Sequence, residues 1–216
     1  MLANVLLDEV DRELEKRGHA FARYADDCNV YVRSRRAGED VLQMLRRLYA
    51  KLRLQINEAK SAVAHPWDRP FLGYSFWVAP GRAVKRRVAP AALATMKARV
   101  RELTGRNRGC SIATIVAELR GYLRGWKAYF RLADTPKVFV AFDKWLRRRL
   151  RMVYLKQWKR GTTAFRELRA RGVSEAVAAQ AASHTRRWWQ TAHHAALHIA
   201  LPAVYFDRVG VPRLAG

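Results

Sequence analysis

The hydrophobic positions of this chain change rhythm several times, and each change marks a predicted element. Along residues 2–16, Val5, Leu6, Val10 and Leu14 recur at helical spacing, with acids and bases between them. That period predicts an amphipathic helix, closed by Arg17-Gly18. The period then shortens to that of a strand. Residues 20–25 and 28–32 are short β-rich runs on either side of Asp26 and Asp27, which predicts a hairpin whose turn carries two adjacent carboxylates. Residues 34–38 read as a polar turn. Residues 39–54 read as a second helix, with Val41, Leu42, Leu45, Leu48, Tyr49 and Leu52 facing inward. A short strand is expected at 62–65, a longer one at 71–78, a turn at Pro80-Gly81 and a basic returning strand at 82–88.

Pro90 opens a different regime, because its fixed φ suits a first helical turn. Helices are expected at 91–103, 111–132 and 136–159, with Ser111 and either Asp134 or Thr135 as N-caps. Shorter helices are expected at 163–171, 174–182 and 186–197, and segments 202–206 and 209–214 close the chain. Trp126, Tyr129 and Phe130 have the i, i+3, i+4 spacing of core residues, whereas Trp188 and Trp189 cannot both face inward. The expected fold class is α+β: helices on a small antiparallel sheet, followed by an all-α bundle. Three regions are expected, at 1–89, 90–160 and 161–216.

Charge sharpens this division. The chain has 216 residues and a formal net charge of +24. Residues 1–66 hold 12 basic and 10 acidic residues, but residues 82–160 hold 22 and 4. The helical part is therefore the polycation, and nucleic acid is its expected partner. Cys28 and Cys110 are too few for a disulfide framework or a Cys-rich zinc site. His194 and His198 stand four apart, but no Glu follows His194, so the paired-histidine zinc motif fails. No secretory-signal pattern and no run of about 18 apolar residues is present, so no membrane contact and a cytoplasmic setting are expected.

The acid pair carries the candidate chemistry. Two carboxylates on one turn repel each other unless a cation lies beside them, and hard divalent ions such as Mg²⁺ take carboxylate oxygens. A solvated Asp-Asp turn is the plainer alternative.

Tyr24-Ala25-Asp26-Asp27 between two hydrophobic strands resembles the catalytic hairpin of reverse transcriptases. The segment from Met1 to Asp11 resembles the P-L-L-A-N helix that precedes this hairpin in group II intron-encoded proteins. Residues 54–61 resemble their L-x-L-N-x-x-K-S/T stretch, and Phe71-Leu72-Gly73-Tyr74 resembles the primer-grip strand. Residues 119–130, with Tyr122-Leu123-Arg124-Gly125-Trp126 inside them, resemble the thumb or maturase-specific domain, and residues 200–212 its closing segment. The resemblance spans nearly the whole chain. It implies Mg²⁺ held by Asp26 and Asp27, with Lys60 near the incoming triphosphate. It also implies that Phe71, Leu72, Gly73 and Tyr74 place the primer end. RNA would lie against Lys85, Arg86, Arg87, Arg120, Arg124, Lys127, Arg147, Arg148 and Arg151.

The family's third catalytic aspartate lies on a strand upstream of the P-L-L-A-N segment, and this chain begins inside that segment. The expectation is therefore a reverse transcriptase/maturase portion that binds intron RNA to assist splicing. It would direct DNA synthesis only with an N-terminal fragment, or a second copy, as partner. A non-enzymatic RNA-binding splicing factor is the alternative.

Overall fold

The computed structural model describes residues 2–184 and 187–215. Met1, which opens the P-L-L-A-N-like segment, and Arg186, which opens the expected 186–197 helix, lie outside the described residues, as do Thr185 and Gly216. The architecture is α+β and mostly helical, with two small two-stranded sheets. The chain divides into two compact units, Met1–Phe76 and Trp77–Gly216.

In the first unit, α1 (Leu2–Lys16), β1 (Ala20–Tyr24), β2 (Asp27–Tyr31) and α2 (Arg35–Lys51) follow one another. Leu7, Val10 and Leu14 of α1 meet Val41 and Met44 of α2 in a buried cluster that Phe21, Cys28 and Val30 line from the hairpin. Leu6 is 42% exposed and Val5 73% exposed, contrary to the sequence expectation. The buried stripe is centred on positions 7, 10 and 14, which leaves Val5 on the opposite side of the helix. The strands are antiparallel, with Phe21 opposite Val30, Arg23 opposite Cys28 and Tyr24 opposite Asp27.

Helix α2 begins four residues before the expected position. Ser34 is its N-cap, its hydroxyl oxygen accepting from Ala37 N at 3.2 Å. Gly38, which reads as a turn residue, is buried inside this helix. A Cβ there would lie 2.6 Å from Val63 Cγ1, so the glycine is explained by a close approach and not by a chain reversal. The helix also ends early, with Arg53 at φ +57° and Leu54 N returning to Tyr49 O at 2.8 Å.

Two further strand expectations are corrected. Residues 62–65 form no strand; Asn57 O instead receives Lys60 N and Ser61 N in a turn just before them, and Pro66–Asp68 forms a short 3₁₀ turn after them. The strand expected from Phe71 starts at Tyr74, as β3 (Tyr74–Val78), which pairs with β4 (Val84–Val88). Leu72 and Gly73 have φ of +51° and +75°, and Phe71 and Tyr74 exchange backbone bonds of 2.8 and 2.9 Å across them. The Phe-Leu-Gly-Tyr stretch is thus a tight turn of the primed kind.

The second unit holds α3 (Pro90–Leu103), α4 (Ile112–Tyr129), α5 (Pro136–Trp158), α6 (Gly161–Ala170), α7 (Glu175–Ser183), α8 (Trp188–Thr191), α9 (Ala195–Ala200) and α10 (Ala203–Arg208). Met96, Leu119, Leu123, Leu150, Leu197 and Phe206 belong to one continuous core. Residues 150 to 155 of α5 are all buried, which makes it the central helix. The expected 186–197 helix is broken into α8 and α9, because His194 caps the latter, its Nδ1 accepting from Ala196 N at 3.2 Å. Segment 209–214 has no regular element. Of the aromatic triad, Phe130 is buried and Trp126 half-buried, but Tyr129 is 55% exposed, so it is not a core residue. Among the described residues, no helix is long and apolar enough to cross a membrane.

Candidate functional site

The acidic turn is built by the hairpin and steadied by α1. Its two central residues are Ala25 and Asp26, not the expected Asp26 and Asp27: Ala25 takes the left-handed φ of +54°, and Asp27 opens β2 opposite Tyr24. That left-handed conformation costs a non-glycine residue about 1 kcal/mol or more. Arg23 offsets it: its Nη1 donates to Ala25 O at 2.9 Å. The same guanidinium grips Asp11 of α1, with Nε 2.8 and 2.9 Å from the two carboxylate oxygens. This pair is mostly buried, at 15% and 20% side-chain exposure, so it is screened little. Sequence reading missed Asp11 and Arg23. The one signal was an arginine on the inward-facing register of β1 beside a helix that carries acids.

Asp26 and Asp27 are both exposed. Behind them Cys28 is half-buried, and burial, assisted by the Asp11 charge, pushes its thiol up to about 11. The carboxylates are the right donors for Mg²⁺. However, Asp11 is committed to Arg23, and no group of three or more His, Cys, Asp or Glu side chains converges among the described residues. The residues present therefore do not by themselves fit a two-ion centre.

Lys60 is exposed in the Asn57 turn, and its carbonyl oxygen accepts from Arg69. No hydrogen bond or ion pair joins it to Asp26 or Asp27 among the described residues. Phe71, Leu72, Gly73 and Tyr74 are half-buried in their turn.

The basic residues of the second unit fall into two groups. Some are engaged by partners within this unit. Arg151 is 5% exposed; its Nε and Nη2 donate to Leu201 O at 3.1 and 2.9 Å, and burial together with Arg147 lowers its pKa to about 10. Arg120 donates to the carbonyls of Gly210 and Val209 at 3.0 and 3.2 Å, and its guanidinium fills the space a Cβ on Gly210 would need. Lys127 donates to Arg213 O at 3.0 Å, and Arg147 lies 3.9 Å from Asp207. Arg148 donates to Trp189 O. Arg86 is held at both ends of its peptide: its N donates to Asp134 Oδ2 at 2.8 Å, and its O accepts from Asp134 N at 2.7 Å. Asp134 therefore serves Arg86 and does not cap α5. Thr135 makes no capping bond either, and its Oγ1 is buried without a partner.

The other group is exposed. Lys85 and Arg87 stand on β4, and Arg124 on α4. Lys85 also lies 6.0 Å from the Trp77 ring centre. Arg131, Lys137 and Lys144 are likewise exposed, between the end of α4 and the first half of α5.

Comparison with known families gives two matches. Residues 1–76 match the model described as reverse transcriptase (RNA-dependent DNA polymerase). Residues 93–172 match the model described as group II intron, maturase-specific domain. The first region contains the acidic hairpin, and the second runs from α3 to the end of α6. Comparison with curated proteins returned no match.

Proposed function

The chain pairs a reverse-transcriptase region with a maturase-specific domain and is thereby a group II intron reverse transcriptase/maturase chain, in which we propose that the helical unit binds intron RNA to assist splicing. The observation that carries this reading is uncompensated positive charge. Residues 82–160 hold 22 basic and 4 acidic residues, and all four acids are engaged. Glu102 pairs with Arg99, Glu118 with Arg108 and Asp134 with Arg86, while Asp143 accepts from the backbone N–H groups of Leu214 and Ala215. That leaves Arg124, Arg131, Lys137 and Lys144 exposed without a carboxylate partner among the described residues. A surface of this kind favours a polyanion and releases its counterions on binding.

In the same proposal, Asp26 and Asp27 are two of the carboxylates of a nucleotidyl-transfer centre that takes Mg²⁺. Polymerisation then requires a further carboxylate beside them, since no third acidic group converges there among the described residues. The two parts of the proposal separate experimentally. RNA affinity should fall steeply as salt rises, and the slope should shrink by about one unit per phosphate contact removed when Arg124, Arg131, Lys137 and Lys144 are changed to Gln. Asp26→Ala should leave RNA affinity unchanged. Fluorescence anisotropy across a salt series measures both, and salt-insensitive binding would overturn the reading.

A further inference from the structure

Five cations lie against three indoles in the part of the helical unit formed by the end of α3 and the loop after it, α5, and α8. Arg101 and Arg149 lie 5.6 and 5.5 Å from the ring centre of Trp145. Arg106 and Lys156 lie 5.2 and 4.6 Å from that of Trp188. Arg148 lies 4.1 Å from that of Trp189 and donates to the same residue's carbonyl oxygen at 2.9 and 3.2 Å. Among the described residues none of the five pairs with a carboxylate.

Arg149 is half-buried, and its hydrogen bonds balance none of its charge. Its Nε donates to Thr104 Oγ1 at 2.7 Å, and its Nη2 reaches the carbonyls of Arg101 and Thr104 at 3.3 and 3.4 Å. All three acceptors are neutral. Burial, together with the charges of Arg101 and Arg106, holds its pKa below the ordinary value. A half-buried guanidinium facing two others is unfavourable until an anion approaches.

A place for that anion exists. Gly105, Arg106, Arg149, Met152 and Trp189 wall a cavity of about 320 Å³. Trp189 is 38% exposed. Trp189 also lines the cavity, and Arg148, 4.1 Å from its ring centre, does not. Guanidiniums and an accessible indole in one recess match the two halves of a nucleotide, phosphate and base. A base within an A-form duplex is already stacked and paired, so its face is not available to the indole.

We propose that this cavity captures one unpaired nucleotide of a single-stranded RNA segment, with its phosphate between Arg106 and Arg149 and its base stacked on Trp189. The proposal rests on the RNA-binding reading above and adds to it which form of RNA this part of the bundle selects.

The test uses the full chain with two fluorescent probes, an unstructured oligoadenylate and a blunt-ended, fully paired RNA duplex. Trp189→Ala and Arg106→Gln should each weaken oligoadenylate binding about tenfold. Duplex binding should stay within about twofold, and Trp189→Phe should retain most of the oligoadenylate affinity. Circular dichroism checks folding of the variants; if Trp189→Ala unfolds, Arg106→Gln and Trp189→Phe decide. Equal losses on both probes would overturn the proposal, as would no loss on either. Weakening by Arg106→Gln alone, on both probes, would reduce the cavity to a backbone-phosphate contact and overturn it as well. Failure of the unmodified protein to bind either probe would instead sink the RNA-binding reading itself.

Discussion

Arg151 shows what a basic residue does when the bundle closes over it. It sits in the middle of α5, its guanidinium bonded to Leu201 O and lying 5.7 Å from the Phe206 ring centre. A charge taken out of water needs such partners, because leaving it unpaired costs several kcal/mol. Arg120 does similar work against Gly210. Neither role is visible along the sequence, where both look like members of a solvated basic face. Cys28 offers a test at the same scale. Its thiol is pushed up to about 11, chiefly by burial against the α1–α2 core, with Asp11 adding and Arg23 opposing. A raised thiol pKa favours the neutral form in the folded state. That contribution is fully present below the unfolded value of about 8.5 and is lost as pH rises through about 11. In a Cys110→Ser background, alkylation of Cys28 should accelerate roughly tenfold per pH unit from about pH 8 to 10. A rate that levels off near pH 9 would contradict the burial argument.

Helix boundaries show which local signals are strong. Ser111 caps α4 as its sequence position suggests, its hydroxyl oxygen accepting from Thr114 N at 3.1 Å. Thr135 occupies the equivalent position before α5, yet its hydroxyl is buried without a partner. Ser111→Ala should therefore cost about 1 kcal/mol, whereas Thr135→Ala should stay within about 0.5 kcal/mol because it removes an orphaned hydroxyl. Urea unfolding of the two variants side by side measures the difference, and equal losses would contradict it. The hairpin and the long helices were legible in advance because period and turn chemistry are local; the turn itself lies one residue earlier than expected, leaving Asp26 on it and Asp27 on β2. Three features were not. The start of α2 was hidden by Gly38, which suits Val63 across the unit and not a turn. The Phe-Leu-Gly-Tyr turn depends on a left-handed Leu72, which no side chain announces. The break between α8 and α9 depends on a histidine cap, an uncommon choice.

Over the whole molecule the net charge of +24 opposes compaction, and residues 77–216 carry most of it, with 29 basic against 7 acidic residues. A polyanion that binds only the folded protein therefore stabilises it by mass action. Saturating RNA, at about a hundredfold over its dissociation constant, should raise the melting temperature by about 5–10 °C at about 0.1 M salt. At about 0.5 M salt the shift should largely vanish, since screening and counterion competition weaken the binding. A shift that persists at high salt would place the affinity in apolar contacts instead. The sequence by itself determined the hairpin with its adjacent acids, the long helices and the polycationic character of the second unit. Each of these depends on neighbouring residues or on a plain sum of charges. Only the tertiary structure decided which cations remain to meet a ligand. Arg120 is committed to Gly210 and Arg151 to Leu201, while Arg124 stays exposed and Arg106 and Arg149 face an open cavity. Those outcomes depend on partners 50 to 90 residues away along the chain, and burial and hydrogen bonding at that range exist only once the bundle has formed.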